Sequence, residues 1–161
     1  MLARCRDADV SAANVAPAPF SLPFDGGPLG MRGDWVAAPR GGMWSRPSSG
    51  FVGPLPSAGH PVEAVVETSW MPPKGAPATR EVTIDCAAGR ATFTVGEGRA
   101  TNTLVFASDT PSNGGAFGEY HVSTAPLFAP SQYGIGGFPD DLGVVFHSVA
   151  MHPAPDRKSV V

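Results

Sequence analysis

Side chains able to move protons or hold a metal are few and scattered. The histidines are His60, His121, His147 and His152. His147 and His152 have opposite parity, so in a regular strand they point to opposite faces and share no metal unless a bulge intervenes. Glu119 and His121 stand at i and i+2 and point the same way, which suits either a metal or acid–base pair or an exposed polar face. The adjacent acids Asp140 and Asp141 start a turn, or with loop carbonyls hold a structural calcium. The sequence lacks HExxH, paired CxxC and GxSxG patterns. Gly134-Ile135-Gly136-Gly137 does not run from a strand into a helix, so it is not a dinucleotide loop. The expectation is a protein that is not an enzyme and has no resident cofactor or catalytic metal. A hydrolase using Glu119, His121 or Asp141 is the minor alternative.

Binding without catalysis needs other residues. A sugar ring offers an apolar C–H face and hydroxyl edges, which match a flat aromatic beside short polar groups. The aromatics placed on loops or strand ends are Trp35, Trp44, Trp70, Tyr120, Tyr133 and Phe138. Their polar neighbours are Asp34, Arg46, Asn113, Glu119, His121, Gln132 and Asp141. Glycan-contact candidates are therefore Trp35, Trp44, Trp70, Tyr120, His121, Tyr133 and Asp141. For each tryptophan the competing role is core packing. Trp70, before Met71-Pro72-Pro73, is expected to be the most exposed.

The composition narrows the class. The chain has 161 residues, 42% hydrophobic and only 16% charged, enough for one domain with a real core. Gly 20 and Pro 18 are concentrated in residues 17–61 and 111–139, which predicts long ordered loops and forbids long helices. A net charge of −3, with no basic run, argues against nucleic acid. No apolar run reaches the roughly 18 residues of a membrane span, and MLARCRDADV shows no secretory h-region. Cys5 and Cys86 read as free thiols, with a disulfide closing a long loop as the lesser alternative, and Cys86 as buried in phase with Val82 and Ile84.

These residues must be positioned by strands. Pro139–Pro153 carries a turn signal and then a Val-rich run read as a central strand buried on both faces. Residues 62–70, 82–86, 91–95, 101–107 and 117–124 alternate apolar and polar side chains. Ala87-Ala88-Gly89 joins two of them in a hairpin. Shorter pieces surround Trp35, Trp44 and Phe51. Together they predict an all-β antiparallel β-sandwich of the jelly-roll type with about eight strands. In it Val144–Met151 lies against the segment around Trp35. The domain spans 30–153, followed by a tail, 154–161. Residues 1–29 form an extended Pro-rich arm whose Phe20, Leu22 and Phe24 need a surface, either the arm's own sandwich or another subunit.

FAPSQYGIGGFPDDLGVVFHSVAMHP, with GDW…GGMWS and EVTIDCAAGRATFTV before it, resembles a bacterial jelly-roll module attached to glycosyltransferases and polysaccharide-associated proteins. The resemblance covers about residues 30–153. Where that module usually has a basic residue before the Leu-Gly pair, this chain has Asp141. The resemblance implies a carbohydrate-binding jelly roll of the kind also found on phage-like particles. The expected function is thus a non-catalytic domain that binds a cell-surface polysaccharide. Its arm would join it to the subunits of a larger assembly, as an oligomer on a virion or extracellular particle surface; failing that, it is cytoplasmic. The alternative is a structural cement or spike-base protein that binds no sugar.

Overall fold

Strict alternation sets the longest strands of the computed structural model, which describes residues 19–24, 30–109 and 117–154. In Val62–Trp70 every odd member of the run is buried and every even one half-buried. Val62, Ala64, Val66, Thr68 and Trp70 thus form one inward row. The hairpin Arg80–Cys86 and Gly89–Val95 closes through Ala87-Ala88. In chain order the strands are β1 (Phe20–Pro23), β2 (Met31–Arg32), β3 (Trp35–Ala37), β4 (Met43–Ser45), β5 (Gly50–Pro54) and β6 (Val62–Trp70). They continue as β7 (Arg80–Cys86), β8 (Gly89–Val95), β9 (Gly98–Phe106), β10 (Phe117–Ala125) and β11 (Val145–Pro153). A single 3₁₀ turn, Pro130–Tyr133, interrupts the loop before β11.

All pairings are antiparallel, in two sheets ordered β3-β4-β11-β6-β9 and β2-β5-β10-β7-β8, with β1 also paired to β11. Stripped of β1, β2 and β3, the order is β4-β11-β6-β9 facing β5-β10-β7-β8. That is the two-Greek-key order of a jelly roll. The facing rows close one core, from Val62, Val66, Phe106, Val149 and Met151 on one sheet to Phe51, Val82, Ile84, Tyr120 and Val122 on the other.

Four expectations change in detail. Three short strands add to the eight of the jelly roll. The closing strand pairs with Met43–Ser45, not with the Trp35 segment, which lies one strand farther out as β3. Ser45 decides this. It bonds Val144 and Gly143 through its backbone, and its hydroxyl accepts from the Val144 N–H. A Cβ at Gly143 would come within 2.1 Å of the Ser45 hydroxyl, so only glycine permits this approach. Third, β11 is buried on both faces only at Val145 and Phe146. Its register with β6 then shifts across His147. Beyond this bulge it alternates, and His147 and His152 both reach outward-facing partners on β6, Ser69 and Glu63.

The fourth correction concerns the arm. Phe20–Pro23 pairs residue by residue with Met151–Ser148. Leu22 and Phe24 are 6% and 1% exposed within the chain's own core, and Phe24 stacks among Trp35, Phe51 and Phe146. These side chains are not free to dock on another subunit, because the edge of β11 and the gap under Trp35 already bury them. Residues 1–18, 25–29 and 155–161 lie outside the described residues. Cys86 is half-buried rather than sealed, and Cys5 is likewise outside the description.

Truncating a fully buried phenylalanine costs about 3–5 kcal/mol. Phe24→Ala should lower the urea midpoint accordingly. An unchanged midpoint would mean that this segment contributes nothing to the domain's stability.

Candidate ligand-binding groove

The turn between β3 and β4, the loop after β6 and the long loop before β11 meet at one end of the sandwich. Between them lies a groove of about 360 Å³, at the lower end of the range for small-molecule sites. Trp44 and Phe138, both half-buried, line it with Met71, Pro73 and Ile135. Met71 and Ile135 are 64% and 36% exposed, so apolar surface stays open to solvent here. Arg40 is the one charged residue of the lining. Phe128, Pro130 and Leu142 form the buried part.

The long loop is held in shape. Phe128 and Leu142 exchange two backbone hydrogen bonds at 2.7 and 3.0 Å across its neck. Within it, the Asp140 carboxylate accepts from the backbone N–H and the hydroxyl of Ser131, which holds its pKa below the usual range. Trp44 is equally constrained, its ring 6.0 Å from Phe128 and 6.3 Å from Trp70. A ring fixed this way presents a pre-formed surface with little entropy left to lose on binding.

Behind Phe128 lies a second, smaller cavity of about 100 Å³, lined by Trp70, Arg80, Leu127, Phe128, Gln132 and Tyr133 among others. Arg80 is 3% exposed. Its guanidinium lies 4.6 Å from the Trp70 ring centre and 5.8 Å from that of Phe128. It donates to the carbonyls of Gly143 at 3.0 Å, Leu142 at 3.5 Å and Pro126. Nε is buried without a partner, and no carboxylate among the described residues pairs with this guanidinium. Burial brings its pKa down to about 10.

The predicted contact residues are only partly assembled here. Trp44 lines the groove, as does Phe138, and Tyr133 lines the adjoining cavity, 5.6 Å from Phe128. Trp70 is 1% exposed, its indole N–H bonded to the Pro77 carbonyl. Tyr120 is fully buried, its hydroxyl on the Pro54 carbonyl and its pKa pushed up by desolvation. Both are corrections, because a sealed ring has no face for a sugar. Trp35 belongs to the separate Phe24–Phe146 cluster and donates to the Arg32 and Gly50 carbonyls. His121 sits on the opposite sheet, with Nε2 3.0 Å from the Pro47 carbonyl. Asp141 is gripped by Arg46 through two bonds of 3.0 and 3.2 Å. Asp140 and Asp141 therefore serve different protein donors rather than a shared calcium. Among the described residues, no three His, Cys, Asp or Glu side chains group as metal ligands. Asn113 lies outside the description. Arg40, Met71, Arg80 and Ile135 were not foreseen. The signal for Arg80 was its phase with Val82 and Ile84.

The nearest approach to a catalytic arrangement lies elsewhere. On the outer face of β6, beside Trp70 at the same end of the strand as the groove, Ser69 Oγ and His147 Nε2 are 2.8 Å apart. Among the described residues no carboxylate bonds the other ring nitrogen. Nδ1 lies against Gly42, where a Cβ would come within 2.9 Å of it. Glu67 is held instead by Arg99 at 2.7 Å. A hydroxyl–imidazole pair without an orienting carboxylate or an oxyanion donor is an incomplete nucleophile.

No family model matches the sequence, and no curated protein matches it. Among solved structures, the crystal structure of an exo-beta-1,3-galactanase from Phanerochaete chrysosporium with galactose aligns with a TM-score of 0.42 at 8% identity, over 84% of this chain and 29% of that one. An overlap this slight carries no argument about ligand or activity.

Two outcomes test this description. Arg80→Met removes the donor from the Pro126 and Gly143 carbonyls, and should lower unfolding free energy in urea by about 2–3 kcal/mol. His147 is held below its ordinary pKa, first by desolvation and then by Arg99, against the opposing pull of Glu67. The unfolded chain therefore binds this proton more readily. The stability involved is complete above about pH 6.5 and is lost as pH falls below it. Against a His147→Gln reference, the wild type should lose additional stability between pH 7.5 and 5.5. Parallel pH profiles would contradict this.

Proposed function

We propose that this chain is a non-catalytic carbohydrate-binding β-sandwich whose ligand ring lies in the groove between Trp44 and Phe138. One observation carries the reading. Trp44, held against Phe128 and Trp70, and the half-buried Phe138 line an open, largely apolar groove built by three loops at one end of a jelly roll. An aromatic face packs on the C–H side of a sugar ring, and Arg40 with the loop backbone is placed to meet hydroxyls. Exposed Met71 and Ile135 at the rim extend the contact to a second ring. The incomplete Ser69–His147 pair favours binding over turnover. Carriage on a larger assembly is not part of this proposal, since Leu22 and Phe24, which suggested it, are core residues of the domain and Phe20 packs half-buried against that core.

A polysaccharide array with the purified protein tests this. Binding to at least one polymer should quench tryptophan fluorescence. Phe138→Ala should weaken that binding about tenfold, and Trp44→Ala at least as much, because each change removes aromatic contact area from the ligand. A folded protein that binds no polymer on the array would overturn the reading.

A further inference from the structure

The groove and the Arg80 cavity share one wall, Phe128. Three of the exposed large hydrophobic residues, Met71, Leu127 and Ile135, belong to these two linings. They are therefore neighbouring parts of one surface. Their chemistry differs. The groove is apolar. The cavity holds a buried cation that, among the described residues, meets only carbonyls and ring faces. Carbonyl oxygens and aromatic quadrupoles offset a positive charge but do not neutralise it. Nε–H remains without an acceptor.

At about 100 Å³ the cavity is less than a third of the groove in volume, a size that suits a carboxylate better than a whole sugar ring. Gln132 and Tyr133 line it, and the Tyr133 phenol is near enough to act on the Arg80 charge. A fork-shaped guanidinium, an amide and a phenol beside an aromatic groove make a recognition set for a sugar acid. We propose that the Arg80 cavity receives the carboxylate of a uronate unit, so that the ligand at this end of the sandwich is an acidic polysaccharide. This rests on the glycan reading of the adjoining groove. Burial strengthens the attraction, because low dielectric screens the pair less than water does.

The test compares glucuronate with glucose, and oligogalacturonate with a neutral oligosaccharide, at matched ionic strength. Tryptophan fluorescence and thermal shift are read together, and sodium acetate against sodium chloride serves as a carboxylate without a ring. The acidic sugar should bind at least tenfold more tightly than its neutral counterpart, and acetate should raise the melting temperature above chloride. Gln132→Glu places an internal carboxylate at the cavity and should abolish both preferences while the protein stays folded. Tyr133→Phe should reduce the acidic preference several-fold. Equal binding of acidic and neutral sugars, or a preference that survives Gln132→Glu, overturns this inference and leaves the groove reading standing. If no sugar binds yet acetate still stabilises, the groove reading falls and a carboxylate site remains. If acetate also has no effect, both fall.

Discussion

One buried guanidinium ties the two sheets together where the loops gather. Arg80 begins β7, in the five-stranded sheet. It bonds carbonyls at Leu142 and Gly143, on the approach to β11 of the other sheet, and at Pro126, just after β10. Its plane lies over Trp70 at the end of β6. Three other chain segments, at Trp70, Pro126 and Leu142–Gly143, are therefore fixed by one side chain. Lysine, a compact point charge, would not reach three carbonyls at these angles. Of these carbonyls, that of Leu142 also accepts from the Phe128 N–H across the neck of the loop. The position of the long loop, and hence of Phe138 and Ile135, depends on this arrangement.

Alternation made most of the sandwich legible. The runs at 62–70, 80–95 and 98–106 could hide their apolar rows only by facing another sheet, and the closing run had to find a neighbour near the first one. The short strands were harder, because Phe20–Pro23 and Met31–Arg32 are too brief to show a period. Their burial comes from tertiary pairing alone. The site was legible in part. Trp44 and Phe138 have no regular neighbours in phase with them, so their half-exposure left room for function. Trp70 and Tyr120 did have such neighbours. Trp70 follows Val66 and Thr68 on the inward row, and Tyr120 precedes Val122. Parity seals both, whatever prolines stand nearby. Parity also places Arg80 inside, although its charge suggests the surface. Arg40, Met71 and Ile135 converge only because three loops fold over one end, which no local pattern encodes.

The chemistry of the groove follows from its loops rather than from the jelly roll. The sheets supply a rigid frame. The Phe128–Leu142 bridge and the Asp140–Ser131 pair then set the loop, and Trp44 is wedged against Trp70 and Phe128. Little of this surface has to order itself when a ligand arrives. By contrast, the outer sheet faces carry threonines, glutamates and histidines already paired with one another, as in His152–Glu63 and Arg99–Glu67.

The brevity of β4 has a structural corollary. It covers only Val145 and Phe146 of β11, and β1 covers Ser148 to Met151 along the same edge. The first strand of the jelly roll is in effect assembled from two separate pieces of chain. If the upstream piece is cut away or peels off, β11 presents unpaired N–H and C=O groups beside a slot shaped for Leu22 and Phe24. An open edge of this kind templates whatever strand arrives. The same segment from a second molecule fits it by construction, so reciprocal strand exchange is the failure mode this architecture invites.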